Sequence, residues 1–373
     1  MSTMFGWLKR RTMSEQRKVA VPPPIMPSPS PAYTQPPVEW NAKYSPGMIA
    51  RECRRIDDFV ALTSPSAWRA VGGLLEHAPK AHQFVTSQEY AYNVALLERL
   101  PRAKFVLGIG GGMALDAAKI VAAAQGATLI MIPTVVSTGS VFNAGFPQRH
   151  DGVLRIIHKV ASPKILLFDT DVIRAAPTHL NAAGMAECVC WVSVVAAWQW
   201  WCHNRRGGVE WDQSVADELI VAVRECVSCW VNDVDADGRP GIDAIRACAE
   251  WNRKRYGLHA WDLGLYYAID HAFDVAFYFV HRRSLLHSEA VALGSLLSCV
   301  LYDGGFEETI HLLRSCGTRY LPAQIGCTWP EVRETLDHLH EHGTHYGHTN
   351  TRLADGPVSD ELFNQMVTRV EGG

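Results

Sequence analysis

The chain lacks an excess of charge of either sign. Its 373 residues carry 35 Lys and Arg against 38 Asp and Glu, a formal net charge of -3. No basic surplus is available to neutralise a phosphate backbone, which excludes nucleic acid as a partner. Also missing is a run of about 18 uncharged apolar residues, so no membrane span is expected. Cysteine is scattered: ten residues from Cys53 to Cys327 lack the density and short even spacing of a secreted disulfide scaffold, and a reducing, cytoplasmic location is the expectation. The close pairs Cys188/Cys190 and Cys226/Cys229 fall in apolar, helix-like stretches, where buried thiols are more common than metal sites. No internal repeat is visible. Eight of the 20 prolines lie between Pro22 and Pro37, too many for a helix or a central strand, so residues 1–40 read as an extended, disordered tail.

What remains is apolar and patterned. With 48% hydrophobic and 20% charged residues, the chain reads as globular, with about two domains. Phe59-Val60-Ala61-Leu62 reads as a buried strand, and Pro65 opens a helix through Leu74 and Leu75. Phe84-Val85 is a short strand, a helix runs from Tyr90 to Leu100, and Lys104 to Ile109 form a strand that ends in glycines. Thr128 to Ile132 and Ile165 to Phe168 continue the series. Strands alternating with helices predict a parallel sheet, because each crossover needs a helix to return the chain. Beyond Pro177 the strand signals stop, and Leu180 to Val370 reads as successive helices. The fold class is therefore α/β, with a nucleotide-binding domain over 41–178 and an all-helical, metal-binding domain over 179–373.

Two constellations carry chemistry. In the first, Gly108-Ile109-Gly110-Gly111-Gly112 joins a strand to a helix. Glycines there let the backbone approach a diphosphate, whose charge the helix N-terminus meets. The spacing is not that of the ordinary dinucleotide fingerprint. A second loop, Pro133-Thr134-Val135-Val136-Ser137-Thr138-Gly139-Ser140, leaves the same sheet edge, where the hydroxyls of Thr134, Thr138 and Ser140 could bond a nicotinamide or ribose. In the second constellation, Glu187 is a lone carboxylate in an apolar helix start, costly to bury unless paired or metal-bound. His271 sits in an aromatic helix and His287 begins another. One carboxylate and two imidazoles make three ligands with an open fourth position, the arrangement of a catalytic divalent ion.

With these motifs in place, residues 50–345 resemble the superfamily that joins iron-containing alcohol dehydrogenases, glycerol-1-phosphate dehydrogenases and dehydroquinate synthases. The resemblance rests on Gly110-Gly111-Gly112 with Asp116 and Lys119, Pro133-Thr134 with Thr138-Gly139-Ser140, Asp169, Gly184-Met185-Ala186-Glu187, His271 and His287-Ser288-Glu289. It implies cofactor contacts from the glycines, Asp116, Lys119, Thr134, Thr138 and Ser140, with Glu187, His271 and His287 as metal ligands and catalytic centre. The cyclase branch carries groups replaced here by Cys190, Gly264, Ala268 and Val275, and the four-ligand iron enzymes have a histidine where Trp191 stands. The three-ligand glycerol-1-phosphate dehydrogenase branch is the nearest match, with Glu in place of its usual Asp.

The resulting expectation is an NAD- or NADP-dependent dehydrogenase of a small polyol, polyol phosphate or ketone, using a divalent metal, zinc by choice. The alternatives are a sugar-phosphate cyclase that uses NAD transiently and a degenerate, non-enzymatic family member. Thr63-Ser64 after the first strand offers no carboxylate to exclude a 2′-phosphate, so NAD and NADP both stay open. A homo-oligomer is left open too. Trp191, Trp198, Trp200 and Trp201 read as packing, and the histidines 338, 340, 342, 345 and 348 as a solvated helix end and loop.

Overall fold

The computed structural model describes residues 41–137, 139–143, 145–157, 161–204, 209–255, 268–343 and 352–373. The proline-rich segment and Thr138, Gly264, His345 and His348 lie outside them.

Six strands form one sheet: β1 (Ala42–Ser45), β2 (Phe59–Thr63), β3 (Ala81–Phe84), β4 (Phe105–Gly110), β5 (Thr128–Pro133) and, after a hairpin of β6 (Phe146–His150) and β7 (Val153–Ile157), β8 (Ile165–Asp169). Their order is β1-β8-β5-β4-β2-β3, and every pairing within the sheet is parallel. The apolar runs read from the sequence are the central strands, buried on both faces, as a covered parallel sheet requires. All carboxyl ends share one edge, so the loops after β2, β4, β5 and β8 gather there.

Local chemistry sets the strand exits. Gly110 holds φ at +140°, a backbone position that side chains resist, and the chain turns there into the helix Gly112–Gln125. Asp169 ends β8 and accepts from the backbone N–H groups of Gly47, Ile49 and Asp171. One carboxylate thus caps two helix starts.

Two differences from the sequence reading have physical reasons. The edge strand β1 is short and partly polar, and its signal is weak. The helix from Pro65 ends at Val71 and continues as a 3-10 turn over Gly72–Leu74, leaving Leu74 exposed. The helical stretch Thr178–Asn204 is long and apolar enough to cross a membrane by composition alone, but 89% of its most apolar window is buried inside the molecule, the state of a core helix, so the described residues show no clear membrane span.

From Thr178 onward the described residues are helical or loop. Helix Ala186–Asn204 packs on helix His287–Leu301, which in turn packs on Asp270–His281. Every residue from Ser288 to Leu301 is buried; an all-round apolar helix belongs at the centre of a core. One apolar cluster runs from Val60 and Leu129 in the sheet to Val189, Phe273 and Leu293 in the helices.

Candidate metal and nucleotide site

Three helices bring the predicted ligands together. Glu187 lies in the first turn of Ala186–Asn204 and is fully buried. His271 stands near the start of Asp270–His281, and His287 begins His287–Leu301. His287 Nε2 is 3.1 Å from Glu187 Oε1, and His271 Nε2 is 3.5 Å from Oε2 of the same carboxylate. One donor atom from each of the three lies within 4.8 Å of the others. The rings are partly open to solvent, 20% for His271 and 42% for His287, so a substrate could approach from their side.

Each imidazole is oriented by a carboxylate of its own. His271 Nδ1 is 2.8 Å from Asp270 Oδ1, and His287 Nδ1 is 2.8 Å from Asp274 Oδ2. Such partners fix the ring and turn Nε2 toward a shared centre, as second-layer carboxylates do around zinc-bound histidines. Burial works against charge on both rings, but Asp270 and Glu187 outweigh it and raise His271 to about 9. Asp274 and Glu187 likewise raise His287 to about 10. The pocket therefore favours positive charge, which protons or a cation can supply. Asp270 and Asp274 were missed in the sequence, although acidic residues beside a histidine in an aromatic helix were a usable signal.

The same centre is tied to the sheet edge. Ser288 Oγ donates to the Ser137 carbonyl and lies 3.3 Å from Glu187 Oε1. Trp251 Nε1 donates to the Glu187 carbonyl at 3.1 Å. At Gly184 an added Cβ would stand only 1.9 Å from the Val136 carbonyl oxygen, so the second loop and the Glu187 helix meet backbone to backbone. Of the cyclase positions, Ala268, Val275 and Cys190 are buried. Cys190 also joins Asp270 and His271 in a second group of donors that shares His271 with the first.

At the glycine loop no side chain caps the helix that Gly111 precedes, which leaves its first N–H groups for an anion. Thr134 is buried and its N–H donates to Gly110. Asp116 and Lys119 are placed differently from a ligand-contacting pair. Lys119 Nζ, fully buried, donates to Asp116 and to the carbonyls of Ser140 and Gly145, each at 2.8 Å. Ser140 Oγ bonds Asp116 as well. Burial raises the Asp116 carboxyl and lowers the Lys119 ammonium, and the partner's charge opposes each shift. The pair pins the second loop to the helix behind the glycines. Beside Gly111, Val135, Phe142, Phe168, Ala249 and Asn252 border a cavity.

Trp191 and Trp198 are buried in the core, and Trp200 packs on Tyr302. None of the ten cysteines is joined in a disulfide. His338 and His340 are exposed on the helix Trp329–Gly343.

Residues 47–177 match the family described as iron-containing alcohol dehydrogenase. The chain is 25% identical to a glycerol-1-phosphate dehydrogenase [NAD(P)+] of Aeropyrum pernix over 66% of this chain and 69% of that one. It is 28% identical to a glycerol dehydrogenase of Citrobacter freundii over 59% of this chain and 61% of that one. In fold it resembles the crystal structure of a probable glycerol dehydrogenase from Sinorhizobium meliloti 1021, with a TM-score of 0.65, 18% identity and 89% and 97% of the two chains covered.

Proposed function

From the premise that the chain is a member of the iron-containing alcohol dehydrogenase-like superfamily, we propose that it is an NAD(P)-dependent dehydrogenase of a small polyol, polyol phosphate or the corresponding ketone, and that it uses a divalent metal. The observation that carries this reading is the donor set itself. Glu187, His271 and His287 converge within 4.8 Å, and the far nitrogen of each ring is held at 2.8 Å by a separate carboxylate. Two imidazoles and one carboxylate suit zinc, and the solvent-facing side leaves a position for substrate.

A bound ion would polarise the substrate oxygen, and the nicotinamide would exchange hydride with the substrate carbon. The rest is the work of the chain. Asp270 and Asp274 keep both rings in the tautomer that presents Nε2 to the centre. Ser288 positions the Glu187 carboxylate. The glycine loop offers backbone N–H groups to a diphosphate, and the Asp116–Lys119–Ser140 cluster sets the loop that must flank the nicotinamide ribose. Relatives bearing the names glycerol-1-phosphate dehydrogenase and glycerol dehydrogenase support a polyol as the substrate class.

Metal analysis followed by turnover of polyols, polyol phosphates and ketoses with each cofactor tests the proposal. Reduced nicotinamide should appear or disappear in step with product, and His271→Ala should lose both metal and activity while keeping its fold. Stoichiometric metal in that variant would refute the triad. A carbocycle formed from a sugar phosphate with no net change in nicotinamide absorbance would replace the dehydrogenase reading with a cyclase.

A further inference from the structure

We propose that a second divalent cation of the zinc class binds beside the catalytic centre, held by Cys190, Asp270 and His271. The site goes beyond the single ion proposed above and shares one imidazole with it. One donor atom from each of the three residues lies within 4.8 Å of the others, and no other of the ten cysteines belongs to such a group among the described residues. Cys190 is 2% exposed and Asp270 is fully buried. Helical spacing sets the two sites side by side. Glu187 and Cys190 stand three residues apart on Ala186–Asn204, so they leave one face of that helix a turn apart. The nitrogens of His271 divide in the same way: Nε2 is 3.5 Å from Glu187 Oε2, and Nδ1 is 2.8 Å from Asp270 Oδ1. Ser193, a turn beyond Cys190, lies 3.3 Å from the other oxygen of Asp270 and donates to it.

The donors select the class of ion. Thiolate and imidazole suit zinc and its neighbours in the first transition row, whereas calcium and magnesium take oxygen ligands. Charge balances as well. With the first ion on Nε2 of His271, the second replaces the Nδ1 proton, and that proton and the thiol proton of Cys190 pass to solvent. The carboxylates of Glu187 and Asp270, the Cys190 thiolate and the His271 imidazolate then match two divalent ions, so full occupancy leaves no net charge among these buried groups. Asp270 holds the ion in place of the ring N–H it otherwise accepts from, and Ser193 remains the hydrogen-bond donor to its second oxygen, the support that metal-bound carboxylates have. Because two protons must leave, the second ion binds more weakly than the first.

The test is titration of metal-free, full-length protein with cobalt(II), which gives an intense near-ultraviolet charge-transfer band on a thiolate ligand and none on imidazole or carboxylate. The first equivalent should bring only weak visible bands and the second the intense one. Cys190→Ser and Cys190→Ala should each lose the second equivalent and its band and keep the first. No such band in wild-type protein at any loading overturns the inference, while a bound first equivalent leaves the Glu187, His271 and His287 triad standing. A band that both variants keep belongs to another thiol and overturns the inference too. A band that arrives with the first equivalent, is lost in both variants and survives Glu187→Gln supports the inference and overturns the triad instead. Protein that binds no cobalt overturns both. Zinc-edge X-ray absorption of wild-type protein at two equivalents needs no variant: it should show one sulfur neighbour at about 2.3 Å for every two ions, and spectra without sulfur overturn the inference even where the substitutions fail to fold.

Discussion

Asp274 and His287 form a pair in which one residue holds the other in position. The carboxylate contributes no ligand atom, yet its bond to Nδ1 settles which nitrogen the ring presents. Asp274→Asn should weaken metal binding by roughly 10–100-fold, measured by competition with a chromophoric chelator, and leave the circular dichroism spectrum unchanged. The raised imidazoles set a pH signature as well. In metal-free protein the clasped rings favour folding fully below 6.5, the unperturbed value, and that contribution fades as pH rises through about 9 for His271 and about 10 for His287. The melting temperature of stripped protein should therefore fall over this window. Added zinc takes the place of the protons and should flatten or reverse the trend. Gly111 gives a third residue-level test. Its backbone is extended, with φ -87°, and an added Cβ would meet nothing closer than Val135 at 3.9 Å. Gly111→Val should consequently fold normally and lose NADH and NADPH affinity in calorimetry, because the new branches would fill only the space meant for a diphosphate. Gly110 would not give so clean a result, since its φ of +140° strains any side chain.

At the scale of elements, the two histidine-bearing helices cross where Gly294 faces Asp270. A Cβ at Gly294 would lie 2.6 Å from the Asp270 carbonyl oxygen and 2.9 Å from its Cα, both backbone atoms that cannot swing aside. Gly294→Ala should force the helices apart, costing about 1–3 kcal/mol of stability in chemical denaturation, and should reduce metal occupancy because His271 moves away from His287. Elements of this kind were legible unevenly in the sequence. The central strands β2, β4, β5 and β8 stood out because burial on both faces demands continuous apolar runs. Glu187 stood out because a lone carboxylate in an apolar helix needs a reason. The hairpin β6–β7 was missed although Asp151-Gly152, with φ of 54° and 86°, is a turn pair of the strongest type; Pro147 and Arg149 break the alternation that would have flagged its strands.

On the scale of the whole molecule, the change from strands to helices near residue 178 does not divide the interior. The apolar cluster that contains Val60, Leu129 and Leu166 also contains Val189, Phe273 and Leu293, so the sheet and the helices share a core. The candidate site lies along the seam, with the glycine loop contributed by one part and the three candidate metal donors by the other.

The Ser288 hydroxyl spans that seam, reaching the Ser137 carbonyl on one side and Glu187 on the other. A group with a foot in each site makes the two occupancies interdependent: whatever zinc does to the affinity for NADH, NADH must do to the affinity for zinc, by the same factor. Titrating each ligand with and without the other closes the cycle. In wild-type protein the coupling should be positive, on the order of 1–3 kcal/mol, and Ser288→Ala should bring it close to zero while each ligand still binds alone. Metal and nucleotide would then load as a cooperative pair, and an enzyme short of one would release the other.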